Sequence, residues 1–202
     1  MGIIIKKATI ADVNSIVAIH QQAFPGFFLT TLGGRFLNLY YKCMCRCDEA
    51  VTLCAVEDGE VVGFASSALK SAGFNSRLIK SNMIPFMGES IKLLFTRPMS
   101  LVRLVKNFTK KSSSMEDDGN YAELFSIGVS PSCQGKGVGS LLLVENERVI
   151  TKWGGVKRLS LTTDNINNES AIAFYQKNGY RILYEFTAYP DREMYRFIKD
   201  LE

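Results

Sequence analysis

The stretch Ser130-Pro131-Ser132-Cys133-Gln134-Gly135-Lys136-Gly137-Val138-Gly139-Ser140 sets three glycines in five positions between a strand-like run, Tyr121 to Val129, and a helical run, Val138 to Ile150. Strand, glycine-rich turn and helix in that order make a phosphate cradle. Glycine has no Cβ, so the backbone can curl and approach an anion closely, and the first N–H groups of the following helix lack internal partners and sit at its positive end. Two phosphate loops are excluded. A P-loop needs Gly-Lys followed by Ser or Thr and a further glycine five residues before that pair, but Gly137 follows Gly135-Lys136 and Ser130 holds the earlier position. A dinucleotide fingerprint, G-x-G-x-x-G, fails at Ser140, and its strand would come late in the chain, after an antiparallel hairpin.

That hairpin lies upstream: Ala50 to Val56 and Glu60 to Ala68 are β-rich runs around Glu57-Asp58-Gly59, where Asp-Gly supplies the positive φ angles of a tight turn. Ahead of it, Ile3 to Ile10 reads as a first strand. A helix follows through Val13, Ile16, Val17, Ile19 and His20 and stops at Pro25-Gly26, and a second helix spans Thr30 to Cys45. From Lys70 to about Asn120, turn residues Gly73, Pro85, Gly88 and Pro98 separate short helical stretches, Ser90 to Phe95 and Met99 to Phe108. After the glycine loop come a strand from Val156 to Thr162, a helix from Asn168 to Lys177, and strands over Tyr180 to Phe186 and Arg192 to Ile198. No internal repeat is present.

At 202 residues, 47% hydrophobic and 22% charged, the chain suits one domain, 1–202, carrying a basic helical insertion at about 70–120. Its 24 Lys plus Arg against 20 Asp plus Glu give a net +4, too mild to argue for a nucleic-acid partner. The charge is uneven, since 70–111 holds nine basic residues and one acid, Glu89, which leaves 15 and 19 elsewhere. That stretch reads either as a solvated helical face or as a peripheral contact with an anionic membrane, with Leu101, Val105 and Phe108 beside Arg103, Lys106 and Lys110. No uncharged apolar run approaches the roughly 18 residues of a transmembrane span, and Met1 to Lys7 is charged too early for a signal peptide, so a cytoplasmic protein without an integral membrane segment is expected. Cys43, Cys45, Cys47, Cys54 and Cys133 form no C-x-x-C pair, so they read as reduced, partly buried thiols and no metal is expected. With His20 the one histidine, a Ser-His-Asp or Cys-His hydrolase is disfavoured.

Gln134, Gly137 and Gly139 satisfy Q/R-x-x-G-x-G/A, which resembles the acetyl-CoA pyrophosphate-binding motif of the GNAT acyltransferase superfamily. The likeness extends to the preceding strand, Ala122 to Val129 with Ser130-Pro131. It extends also to a second motif, Asn168-x-x-Ala171-Ile172-x-Phe174-Tyr175-Gln176-Lys177-x-Gly179-Tyr180, with departures at Asn178 and Tyr180. The resemblance implies an α/β fold: a mixed, mostly antiparallel central sheet flanked by helices, here with the insertion between the third and fourth strands. It implies an N-acetyltransferase moving an acetyl group from the co-substrate acetyl-CoA directly to a primary amine of a small molecule such as an amino sugar or amino acid. The alternative is a non-catalytic acyl-CoA-binding domain whose basic insertion docks on a partner or membrane surface. Oligomeric state stays open, a dimer included.

By the same resemblance, backbone N–H groups of Gln134, Gly135, Lys136, Gly137, Val138, Gly139 and Ser140 hold the pyrophosphate, the Lys136 side chain adds charge, and Ile127 and Val129 pair their backbone with the pantetheine arm. Tyr175 matches the family's general acid, the other reading being a packed core tyrosine. A phenol of pKa about 10 can share its proton with a thiolate as charge develops on it. Glu123, eleven residues before Gln134, has the spacing of the strand glutamate that serves as base in the histone acetyltransferase branch, against the reading of a structural carboxylate; Asp164 is a weaker candidate. Asn168 is expected to cap its helix and to contact CoA. His20 reads as a satisfied histidine. Phe24, Phe27, Phe28, Phe36, Tyr40 and Tyr41 fall where the family builds its acceptor pocket, part of the set being plain core.

Overall fold

Side chains alternate across a strand with a period of two, so a strand with apolar residues at both odd and even positions must be covered on both faces. The strand β2 (Ala50–Glu57) is of this kind from Ala50 to Ala55: Val51, Leu53 and Ala55 enter one core, and Ala50 and Cys54 enter the other. The computed structural model describes residues 2–96, 117, 119–188 and 191–202. In it β2 lies in a seven-stranded sheet with β1 (Ile4–Lys7), β3 (Glu60–Ala68), β4 (Ala122–Val129), β5 (Arg158–Asp164), β6 (Arg181–Ala188) and β7 (Arg192–Asp200), ordered β1-β2-β3-β4-β5-β7-β6. Every pairing is antiparallel except β4 with β5.

One face is covered by α1 (Val13–Ala23) and α3 (Gly34–Arg46), which bury Ile16, Phe36, Leu37 and Tyr41 against Phe64. The first of these starts where Asp12 accepts from the Thr9 N–H and hydroxyl at 2.8 Å each, a reciprocal cap that also draws in Lys6 at 2.7 Å. The other face carries α6 (Val138–Gly154) and α7 (Glu169–Lys177), with Leu142, Leu143 and Ile150 packed on Leu159 and Phe197. The Asp58-Gly59 turn between β2 and β3 has φ of 51° and 85°, the left-handed pair that the sequence called for.

Two expectations shift in detail. The helix expected over Thr30 to Cys45 is divided into α2 (Phe28–Thr31) and α3, because Gly33 between them takes φ 90°, where a helix cannot continue. Between β3 and β4 come α4 (Phe74–Ser81) and α5 (Met83–Thr96), and α5 runs straight through Pro85 and Gly88. Pro85 sits in its first turn, where the absent N–H has no intrahelical acceptor to lose. The helix expected over Met99 to Phe108, with its basic face, lies outside the described residues.

The feature that positions a site is the parting of β4 from β5. Their parallel pairing lasts three residues, Ala122 with Leu159, Glu123 with Ser160 and Leu124 with Leu161. The β3–β4 register then slips between Ser66 and Ser67, whose partners are Ser126 and Leu124, so Phe125 is an extra residue on β4. This bulge turns β4 away while β5 continues to Asp164 beside β7. A wedge opens between the strands.

At the closed end of the wedge, a charge cluster ties the layers together. Arg196 Nη1 lies 2.8 Å from Glu123 Oε1 and 3.3 Å from Ser160 Oγ, the Ser71 hydroxyl donates to Glu123 Oε2, and Asp117 accepts from Tyr121 at 2.6 Å and Tyr184 at 2.5 Å. Arg196→Met leaves two carboxylates facing each other without their cation and is expected to cost about 3–5 kcal/mol. Arg148→Met removes the exposed pair with Glu145 one helical turn away and is expected to leave stability nearly unchanged. Urea unfolding of the two variants checks the contrast.

Candidate active site

A cleft of about 840 Å³ fills the wedge, lined by β4 from Leu124 to Val129, the glycine loop, Thr162 and Thr163 of β5, one side of α7, and the Phe24–Leu29 region. The loop meets the cleft with its backbone. Gly135 and Gly137 take φ of 76° and 81°, which a side chain resists, and Gly137 is the residue from which α6 springs. Among the described residues, no backbone N–H from Gly135 to Ser140 finds an acceptor; the first one satisfied is Leu141, which donates to Gly137 O at 3.1 Å. Six adjacent donors at the positive end of a 17-residue helix form a nest for an anion. Gln134 braces the loop, its Nε2 donating to Val129 O at 3.3 Å, while Lys136 is exposed on the loop and does not line the cleft. Val138 contributes backbone only, since its side chain is buried in the core under α6.

Beyond Leu124, the edge of β4 that faces β5 has no ladder partner, and Ile127 and Val129 lie on it. Unpaired backbone groups of this kind are satisfied by water or by a ligand that adds a strand-like rung. Across the cleft stands Tyr175, in ring contact with Phe174, Tyr180 and Phe197. Burial pushes its pKa well above the ordinary tyrosine value. Its hydroxyl makes no hydrogen bond among the described residues, which leaves it free to donate. Asn168 also lines the cleft and begins α7, but its side chain does not cap the helix; Nδ2 donates to Thr163 Oγ1 at 2.6 Å and Asp164 O at 2.9 Å, tying α7 to the end of β5.

A glycine-loop anion nest, an open β4 edge and a half-buried tyrosine thus converge on one wedge between two strands. The model of the acetyltransferase (GNAT) family matches residues 13–180. The chain belongs to the GNAT acetyltransferase family. A search of curated proteins finds none that matches. Solved structures share the fold at low identity: Ard1 from Thermoplasma volcanium (15% identity, TM-score 0.65, 100% of this chain and 99% of that one) and an N-acetyltransferase from Staphylococcus aureus Mu50 (17%, 0.63, 100% of both). The PaiA N-acetyltransferase from Thermoplasma acidophilum, solved in complex with coenzyme A, aligns at 15% identity and TM-score 0.61 over 99% of each chain. GNAT enzymes transfer an acyl group from acyl-CoA, and the donor nest and open edge of this acetyltransferase have the chemistry that a diphosphate and an amide-rich arm require.

The remaining candidate residues of the acetyltransferase divide between the cleft and its surroundings. Glu123 is 9% exposed, is held by Arg196 and Ser71, and does not line the cleft. Asp164 is held by Arg192, whose Nη2 is 2.6 Å from both of its oxygens. Of the aromatic set, Phe24, Phe27 and Phe28 line the cleft, while Phe36, Tyr40 and Tyr41 are core. Ser126, Lys177, Arg192 and Met194 line it too, and the sequence reading passed over them. Arg192 stood in an alternating strand with no motif around it; only the strand order brings it to the cleft.

His20 is 2% exposed, lies at the cleft wall, and shares a 2.7 Å hydrogen bond between Nδ1 and the Tyr41 hydroxyl, while its Nε2 has no partner among the described residues. Burial lowers its pKa to about 4, against 6.5 in an unfolded chain. Between those values the unfolded chain takes up a proton that the folded one refuses, so stability falls as pH falls from 6.5 toward 4. A loss of about 2 kcal/mol is expected at pH 5 relative to pH 7, and His20→Gln is expected to remove that part of the dependence in urea titrations at the two pH values.

Proposed function

We propose that this acetyltransferase moves an acetyl group from acetyl-CoA directly to a primary amine of a small molecule, with both substrates bound at once. The observation that carries the reading is the convergence in one cleft of the donor nest, the unpaired β4 edge and the Tyr175 hydroxyl. The thioester supplies an activated carbonyl carbon. The loop N–H groups from Gly135 to Ser140 bind the diphosphate, with the α6 dipole behind them. The open edge at Ile127 and Val129 orients the arm that bears the thioester, and an N–H of that edge is the donor available to its carbonyl as negative charge develops. Tyr175 gives the leaving thiolate its proton and regains one from water, which takes up the proton that the amine releases.

The amine needs its lone pair free. No aspartate or glutamate lines the cleft among the described residues, and both oxygens of Glu123 are engaged elsewhere. In this reading the amine enters in its neutral form and its proton leaves to water, so kcat/KM rises with pH toward the pKa of the acceptor, about 10.4 for an alkyl amine. Tyr175 adds no alkaline limb, since burial keeps it protonated. No helix among the described residues is long and apolar enough to cross a membrane.

Tyr175→Phe is expected to lower kcat by about 10²-fold or more with acetyl-CoA affinity unchanged; unchanged turnover removes Tyr175 from this role. Glu123→Gln decides the base. Retained kcat with a lowered urea midpoint makes Glu123 structural, whereas lost kcat with intact folding makes it the proton acceptor.

A further inference from the structure

The half of the cleft remote from the glycine loop has its own chemistry. Phe24 and Phe27 meet at a tilt, with centroids 5.4 Å and planes 58° apart, and the Arg192 guanidinium lies over the Phe27 ring, 4.7 Å from its centroid. Arg192 enters from the start of β7 and is gripped side-on by Asp164, at the end of β5: Nε to Oδ1 is 2.9 Å, and Nη2 lies 2.6 Å from both oxygens. The chain of contacts Phe24, Phe27, Arg192, Asp164 spans the mouth of the wedge. Asp164 uses the Nε–Nη2 side of the fork and Phe27 covers one face of the plane. The Nη1 donors make no hydrogen bond among the described residues, so the end-on edge of the guanidinium is uncommitted.

Charge narrows the choice further. Among the described residues lining the cleft, the charged side chains are Lys177 and Arg192, both cationic, and no carboxylate is present. Lys177 ends α7, the helix whose Phe174 backs Gly139 at the start of α6, so it belongs to the acyl-CoA side. Arg192 is the cation left for the acceptor. A polyamine or a polycationic sugar would meet no counter-charge here, whereas a carboxylate would be received by a fork that is preset by Asp164 and stacked on Phe27. The apolar partners beside that fork, Phe24, Phe27 and Met194, call for an apolar or aromatic body.

We propose that Arg192, held by Asp164 and Phe27, is an acceptor-binding residue, and that the acceptor is an amine carrying a carboxylate on an apolar or aromatic frame, such as a hydrophobic amino acid. The proposal rests on the transferase reading above. Asp164 is the positioning residue: it orients the fork and does not touch the acceptor.

The test measures CoA-thiol release from acetyl-CoA with paired acceptors, L-phenylalanine against L-phenylalaninamide and L-methionine against L-methioninamide, with phenethylamine and spermidine alongside. A parallel thermal shift with acetyl-CoA reports folding and donor binding. The carboxylates are expected to exceed their amides in kcat/KM by about 10- to 100-fold. The comparison is conservative, since the amide's amine is the less basic and more of it is neutral. Arg192→Met is expected to collapse that ratio through KM while its acetyl-CoA shift is kept, and Arg192→Lys, which retains charge without the fork, to recover part of it. Amides or spermidine used as well as the carboxylates, a ratio indifferent to Arg192→Met, or acetyl-CoA binding with no release from any of these acceptors overturns the assigned class and leaves the transferase reading standing. Absence of any acetyl-CoA shift in the unsubstituted protein overturns that reading and the proposal with it.

Discussion

The site depends on a mismatch in strand pairing. β4 and β5 hold together for three residues and then diverge, because Phe125 is inserted into β4 and bends it while β5 stays in register with β7. A sheet split in this way leaves strand edges bare in the middle of the molecule, where unpaired backbone groups are costly unless water or a ligand meets them. The glycine loop leaves β4 at the open end of the split and aims its unpaired N–H groups into the same space. Donors therefore outnumber protein acceptors on one side of the wedge, which matches a phosphate-rich, amide-rich co-substrate.

The carboxylates are distributed to suit that wedge. At its closed end Glu123 and Asp117 share the buried Arg196, with Tyr121 and Tyr184 donating to Asp117. At its mouth Asp164 is matched by Arg192. Glu123, Asp117 and Asp164 are thus each held by an arginine and do not line the cleft, while His20 is kept uncharged by burial. The charged side chains that line the cleft among the described residues are then Lys177 and Arg192, with Asp164 set behind Arg192.

Much of the fold was legible because its signals are local. The β2–β3 hairpin follows from Asp58-Gly59, whose φ values can be met by those residues and by few others. Gly155 and Gly179, at φ 68° and 85°, close α6 and α7 in the same local way. Where reading failed, a tertiary contact had overruled a local preference. Pro85 continues a helix because its position happens to be the first turn, and Phe86 of that helix is anchored against Phe36 at 5.5 Å. The cysteine, histidine and aromatic residues before β2 share one composition, yet Phe27 faces the cleft and Tyr41 lies wholly inside; only the packing of α1 and α3 on the sheet separates them.

The sequence by itself determined the family, the order of elements and the anion nest, since the nest is built from consecutive residues whose glycine backbone and helix start need nothing distant. Tertiary structure decided the rest of the site. Glu123 has the spacing of a base, but its partners Ser71 and Arg196 come from remote parts of the chain. The cluster of Phe27, Asp164 and Arg192 at the mouth of the cleft forms because β5 outruns β4 and pairs with β7. Long-range electrostatics and ring contacts leave no periodicity in a sequence, so the glycine loop and its row of donors were readable from the chain and the arginine-bearing aromatic mouth was not.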